Sequence, residues 1–135
     1  MQVAFDGILM LKDTSFGKIG KRYKLPERAV PLQPAQCHLT LIDWRILQPY
    51  SDILKDPSFQ YPPIPKIQFE NKIWHRVKHD GTKESWALKV TPSTQKALEK
   101  FVEVIMRDLG IKTRENRIFH ISLANLTGKP RDSVR

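Results

Sequence analysis

The chain has a single cysteine, Cys37, so no disulfide can form within its 135 residues. No apolar run is long enough to cross a bilayer, and the apolar start, MQVAFDGILML, lacks the basic and small-residue features of a signal peptide. These absences exclude a disulfide-stapled scaffold. They predict a protein of the cytoplasm, or of the host cytoplasm if it is virus-encoded, with no membrane contact.

Acidic residues are also scarce, with 14 Asp and Glu against 23 Lys and Arg and a formal net charge of +9. A surface of this charge favours anionic partners, which predicts RNA or an oligonucleotide as the partner. The alternative explanation is that the charge only keeps the protein soluble. The length predicts one domain over residues 1–135, and we expect a monomer.

Periodicity and turn residues predict the secondary structure. Strands are expected at 3–11, 36–42, 66–78, 85–91 and 117–124, with a hairpin turn at 79–82. A helix is expected over 46–54, with Asp43 as a candidate cap, that kinks at Pro49 or begins there, and another from Pro92 to a cap at Gly110. The basic segment 16–24 reads as a short hairpin or mobile loop, 57–65 as an extended connector, and the last eleven residues as loop or tail. The order predicts an α+β fold with mostly antiparallel pairing.

Two short stretches resemble each other. CHLTL (residues 37–41) and FHISL (119–123) each hold a histidine, one apolar residue and then a hydroxyl residue. On a strand, residues i and i+2 lie on the same face. Each histidine should therefore share a face with its hydroxyl residue, while the apolar neighbours point into a core.

This pattern suits the cleavage of a phosphodiester. One histidine can take a proton from the attacking oxygen and the other can give one to the leaving oxygen, which makes His38 and His120 the candidate catalytic pair. Thr40 and Ser122 can donate hydrogen bonds to the non-bridging oxygens and are the candidate phosphate ligands.

A structural explanation of each residue competes with this one, because a lone histidine on a strand is more often a surface or core residue than a catalyst. His75 and His79 lack a hydroxyl residue two positions later, so we assign them to a strand face and a turn. Cys37 should face away from His38, which argues against a catalytic thiol, and no carboxylate or cysteine cluster predicts a metal site.

The paired motifs resemble the two-histidine (2H) phosphoesterase superfamily, whose signature is His-x-Thr/Ser occurring twice among apolar residues. The resemblance covers residues 3–126. The part from 85 to 124 looks like the branch containing an exonuclease that trims the 3′ end of a spliceosomal RNA. FHISLA also resembles viral 2′-5′ phosphodiesterases, and short phage-encoded members are further plausible relatives.

The resemblance implies a bilobal fold, with two antiparallel sheets around a central cleft and helices outside. It implies catalysis by His38 and His120, phosphate binding by Thr40 and Ser122, and no cofactor or metal. Many members have a helix between the first strand and the first motif, where this chain has the basic segment. Members also usually continue with a strand after the second motif.

The sequence therefore predicts a metal-independent phosphodiesterase that acts on a 2′,3′-cyclic phosphate, a 2′-5′ linkage, an RNA 3′ end or a cyclic oligonucleotide. Lys21, Tyr23 and Arg117 are further candidate substrate contacts, and Tyr23 is the preferred base-stacking residue among the tryptophans and tyrosines. The alternative is a basic RNA-binding module without catalysis. The linkage, the choice between hydrolysis and ligation, and the acid and base roles of the histidines stay open.

Overall fold

The computed structural model describes residues 1–112 and 116–134. These residues form an α+β fold, as the sequence predicts. The strands are β1 (Gln2–Asp6), β2 (Ile8–Lys12), β3 (Val30–Pro31), β4 (His38–Ile42), β5 (Trp74–Val77), β6 (Glu84–Lys89) and β7 (His120–Asn125). The α-helices are α1 (Thr14–Ile19), α2 (Trp44–Leu47), α3 (Ser51–Lys55) and α4 (Pro92–Asp108). None of the described helices is long and apolar enough to cross a membrane.

All seven strands of the described residues join one antiparallel sheet, in the order β1-β2-β4-β7-β6-β5, with β3 paired to β7 beside this path. Pairing is weakest at the centre. β4 and β7 share only the residue pair Leu39 and Ile121, whereas β6 and β7 share five pairs. The strands that carry the two motifs are therefore neighbours that separate quickly on either side of this contact.

The apolar start of the chain is not one strand, as residues 3–11 suggested, but a hairpin. Gly7 has a φ of +74° and turns the chain between β1 and β2. This positive φ suits glycine, which lacks the Cβ that disfavours it in other residues. The Asp6-Gly7 dipeptide is the turn signal that the continuous hydrophobicity conceals.

One side of the sheet packs on α4. The buried apolar residues of this helix lie in one hydrophobic core with apolar residues of β2, β4, β6 and β7. The Thr91 hydroxyl accepts a hydrogen bond from the Thr94 amide at the start of α4, and Gly110 has a φ of +75° beyond its end, as the sequence predicts. The opposite side of the motif strands is left for polar residues.

The basic segment 16–24 is helical and is neither a hairpin nor a mobile loop. The Asp13 carboxylate accepts a hydrogen bond from the Ser15 amide and caps α1, which a 3₁₀ turn (Gly20–Arg22) extends. Phe16 is buried in the core, and a Cβ on Gly17 would lie 2.5 Å from Pro34. One buried aromatic and one close backbone contact therefore anchor a segment whose composition suggested mobility.

The middle of the chain follows the sequence more closely. A 3₁₀ turn containing Pro49 separates α2 from α3, at the position where the sequence predicts a kink or a helix start. Gly81 has a φ of +75° in the β5–β6 hairpin, and the Lys78 amide donates to the Lys83 carbonyl across the turn. The expected strand at 66–78 is shorter, with Trp74–Val77 in the sheet and Phe69 in an isolated bridge to Val90.

Candidate active site

The four motif residues lie on one face of two neighbouring strands. Their burial alternates along β4 and β7, with each histidine and hydroxyl residue half-buried and the residues between them buried. Leu39 pairs with Ile121, so the antiparallel register places His38 opposite Ser122 and Thr40 opposite His120. The two histidines are therefore diagonal neighbours. Such positions lie about 7–8 Å apart in a regular antiparallel ladder, which is a lower bound here because the strands separate beyond this pair, so a phosphate has room between the imidazoles.

All four residues line one cavity of about 420 Å³, which we call the two-histidine cavity. Its other described lining residues are Ile8, Leu32, Gln36, Asp43, Trp44, Arg117, Pro130, Arg131, Ser133 and Val134. A cavity of this volume accommodates a small ligand. The sequence prediction that the two motifs meet at one site thus agrees with the geometry.

Both histidines have the same hydrogen-bonded tautomer. Nδ1 of His38 lies 2.9 Å from the Gln36 carbonyl, and Nδ1 of His120 lies 2.8 Å from the Ile118 carbonyl. A carbonyl only accepts, so each Nδ1 carries a proton and donates it. Nε2 is therefore the nitrogen that each ring has left for proton transfer.

The surroundings of His120 come from β5, an element that the sequence did not connect with the site. Nη1 of Arg76 lies 3.3 Å from Nε2 of His120, and the Trp74 ring packs edge-on against the imidazole at 5.3 Å between centroids. Burial lowers the pKa of His120 to about 4, and the charges of Arg76, Arg117 and His38 also lower it. His120 is thus neutral at pH 7.

Arg76 is itself partly buried. Its Nη1 donates to the Val134 carbonyl at 2.8 Å, and its guanidinium stacks over the Trp74 ring at 4.4 Å. Lys89 also lies over this ring, at 5.1 Å. Burial lowers the pKa of Arg76, and the charge of Arg117 lowers it further. The face beside His120 is therefore strongly cationic.

The expected C-terminal tail forms a wall of the cavity. We call residues 126–134 the C-terminal segment. The buried Asn125 side chain donates to the Lys129 carbonyl and the Ser133 hydroxyl, and the Val134 amide donates to the Ser85 hydroxyl at 2.6 Å. The segment is polar because its polar groups satisfy a buried asparagine and the end of the sheet, not because it is unfolded.

The other candidate contacts separate. Arg117 lines the cavity, but Lys21 and Tyr23 do not. Lys21 is exposed in a 3₁₀ turn, while Tyr23 packs against the core and donates its hydroxyl to Asn71 at 2.9 Å. The aromatic residue in the cavity is Trp44, which is 42% exposed. It follows directly after Asp43, also in the lining. From the sequence, Trp44 is one of several candidate stacking residues, ranked behind Tyr23, and Asp43 is a candidate helix cap only.

The remaining reactive side chains have structural surroundings. Burial raises the pKa of the Cys37 thiol, whose sulfur lies 3.8 Å from the Gln33 carbonyl. His75 pairs with Glu84, which also binds Arg28, and His79 is exposed in the hairpin turn. Among the described residues, no group of three or more His, Cys, Asp or Glu side chains is arranged to hold a metal ion.

Comparison of the chain with protein-family models, with curated proteins and with solved structures gives no match.

Proposed function

We propose that this protein is a metal-independent phosphodiesterase that cleaves nucleotide or RNA phosphodiester bonds between His38 and His120. The observation that carries the proposal is the two-histidine cavity itself, in which two imidazoles and two hydroxyls from adjacent strands surround one space. An in-line displacement at phosphorus needs a base and an acid on opposite sides and donors between them. The diagonal arrangement supplies these groups.

His120 is the general base in this proposal. The Arg76 guanidinium has only donors, so its approach to Nε2 of His120 requires a lone pair on that nitrogen. The neutral ring takes the proton of water or of a ribose 2′-hydroxyl as the oxygen forms its bond to phosphorus. His38 takes up a proton at Nε2 before the reaction and, as an imidazolium, gives that proton to the leaving oxygen as the second P–O bond breaks.

Thr40 and Ser122 bind the non-bridging oxygens. Each hydroxyl lies opposite the histidine of the other strand, so each can donate to a phosphate held between the rings. Arg117 and Arg131 also line the cavity and favour an anionic ligand. The exposed ring of Trp44 can stack on a base.

Membership of the 2H phosphoesterase superfamily belongs to the same proposal. The weak β4–β7 junction divides the sheet into two halves, β1-β2-β4 and β7-β6-β5, with the cavity at the junction, which supports a bilobal interpretation. Helix α1 also supplies a helix between the first strand and the first motif, where the sequence suggested none.

The test is an assay in excess chelator against 2′,3′-cyclic nucleotides, 2′-5′ oligoadenylate, cyclic dinucleotides and short RNAs, with the product ends identified. The wild-type protein should turn over at least one class. His38→Ala and His120→Ala should each lose about 10²–10⁴-fold in kcat, which is the contribution typical of a general acid or base.

The exposed His79 provides the matched control, and His79→Ala should retain full activity. Full turnover by either motif variant would contradict the proposal. Salt-dependent RNA binding without turnover of any substrate would favour the non-catalytic binding module instead.

A further inference from the structure

Arg76 is a partly buried cation beside the cavity that neither motif includes. It lies on β5, two strands away from β7 in the sheet order. The residues of β6 that face Trp74 and Arg76 are Ala87 and Ser85, both small and fully buried. Small residues on the intervening strand leave the space in which the long side chain of Arg76 crosses to His120.

Within the described part of the chain, the contacts of Arg76 include no anion. It donates to the Val134 carbonyl, lies 3.3 Å from Nε2 of His120 and stacks on Trp74. Among residues 1–112 and 116–134, no carboxylate forms a salt bridge with it. A partly desolvated cation without a counter-charge is less stable than a fully hydrated one, and binding an anion would offset that cost.

We propose that Arg76 binds the non-bridging oxygens of the substrate phosphate with Thr40 and Ser122, and that in the free protein it occupies Nε2 of His120 until the phosphate displaces it. The inference rests on the proposed function and adds a third phosphate ligand to it. Phosphate oxygens accept charge-assisted hydrogen bonds of about 2.7–2.9 Å from a guanidinium, shorter than the present contact with His120. Binding of substrate would then free the nitrogen that accepts the proton.

A purely structural role for Arg76 makes a different prediction. If Arg76 only holds the C-terminal segment through the Val134 carbonyl, removing another hydrogen bond that holds this segment should have the same effect as removing Arg76. Ser85→Ala removes the hydrogen bond from the Val134 amide while keeping the guanidinium. Arg22→Gln removes one positive charge from an exposed 3₁₀ turn outside the cavity. Ser85→Ala therefore controls for loosening of the C-terminal segment, and Arg22→Gln controls for the lower net charge. An effect seen only in the Arg76 variant is due to loss of the phosphate-binding guanidinium.

The experiment is an NMR titration of the full chain with inorganic phosphate at constant ionic strength. Arg76→Gln should weaken phosphate binding by at least about tenfold, the lower range for a hydrogen bond to a charged group. Arg22→Gln and Ser85→Ala should stay within about twofold of wild type, since neither removes a charge-assisted contact. If Arg76→Gln fails to fold, Arg76→Lys should still lose several-fold, because a lysine cannot bind bidentately.

The ring nitrogens of His120 give a second readout. Removing the Arg76 charge should raise the pKa of His120 and change the Nε2 shift in the absence of phosphate. The charged or titratable groups that remain around it are His38, Arg117, Lys89, Asp43 and Arg131. Ser85→Ala should leave this pKa unchanged, because it removes no charge.

Wild-type affinity for phosphate in Arg76→Gln, or absence of phosphate binding to the wild-type protein, would overturn the inference. A protein that shows the predicted loss of phosphate binding but cleaves no phosphodiester would uphold Arg76 as an anion ligand and contradict the proposed function. The two failures are therefore distinguishable.

Discussion

The two histidine motifs have the same local structure and different surroundings. In each, Nδ1 donates to the carbonyl two residues earlier, a hydroxyl residue follows on the same face, and a fully buried residue, Leu39 or Ile121, points into the core. His120 alone has Arg76 at Nε2 and the edge of Trp74 against its ring. His38 has the Gln36 carbonyl at Nδ1, and both residues line the cavity.

This difference distinguishes the properties of each histidine that its local sequence determines from those that the rest of the fold determines. The strand period and the local hydrogen bond fix the face and the tautomer of each histidine. The protonation state depends on residues from other strands, because burial and nearby cations determine it. Two equal motifs thus become unequal, and the inequality is what assigns base and acid in the proposed reaction.

The largest expected effect tests the part of the comparison in which the motifs are equal. Thr40→Ala and Ser122→Ala should each lower kcat by about 10²–10³-fold, the loss typical of removing one donor to a developing charge. Thr40→Ser and Ser122→Thr keep the hydroxyl and should retain most of the activity. Steady-state kinetics of the four variants measure kcat. A large loss of kcat in only one alanine variant would show that a single hydroxyl binds the phosphate.

The next effect tests the part in which the motifs differ. The ordinary pKa of a histidine is 6.5, whereas that of His120 is about 4. As the pH falls from 6.5 towards 4, His120 becomes protonated in the unfolded chain but stays neutral in the folded protein. The free energy of unfolding should therefore fall by about 3 kcal/mol between pH 6.5 and pH 4 because of His120. Above pH 6.5, His120 is neutral in both states and should not change the free energy of unfolding.

Urea unfolding of the wild-type protein and of His120→Gln at pH 7.5 and pH 4.5 measures this pH-dependent change in the free energy of unfolding. The variant should lack that part of the acid destabilisation, because glutamine does not titrate. The carboxylates titrate in both proteins, so the difference between them isolates His120. Equal acid sensitivity of the two proteins would contradict a neutral, half-buried His120.

The sequence predicts the fold class, α4 with both of its ends and the face shared by each motif, because these follow from local periodicity and capping. It does not predict the contact of Arg76 with His120. That contact depends on a β-sheet order in which residues 44 positions apart meet across β6. The helix at 14–19 and the role of the C-terminal segment were missed for a similar reason. Phe16 and Asn125 are ordered by tertiary contacts that composition does not reveal.

The smallest expected effect concerns the lining of the cavity just beyond the end of β4. Trp44 is the exposed aromatic residue there, whereas Tyr23, the aromatic residue preferred from sequence, lies outside the cavity. If a base stacks on Trp44, Trp44→Ala should raise KM by about tenfold with little change in kcat, since one stacked base contributes about 1–3 kcal/mol. Trp44→Phe should restore most of the affinity because it retains a π face.

Tyr23→Phe is the contrast for this prediction. It removes the hydroxyl that binds Asn71 but leaves the ring in the core, so KM should not change. An increase in KM for Tyr23→Phe together with none for Trp44→Ala would place the base beside the basic helix α1. The nucleotide would then approach His38 from outside the described cavity, and the two histidines would differ in which side of the substrate they meet as well as in charge.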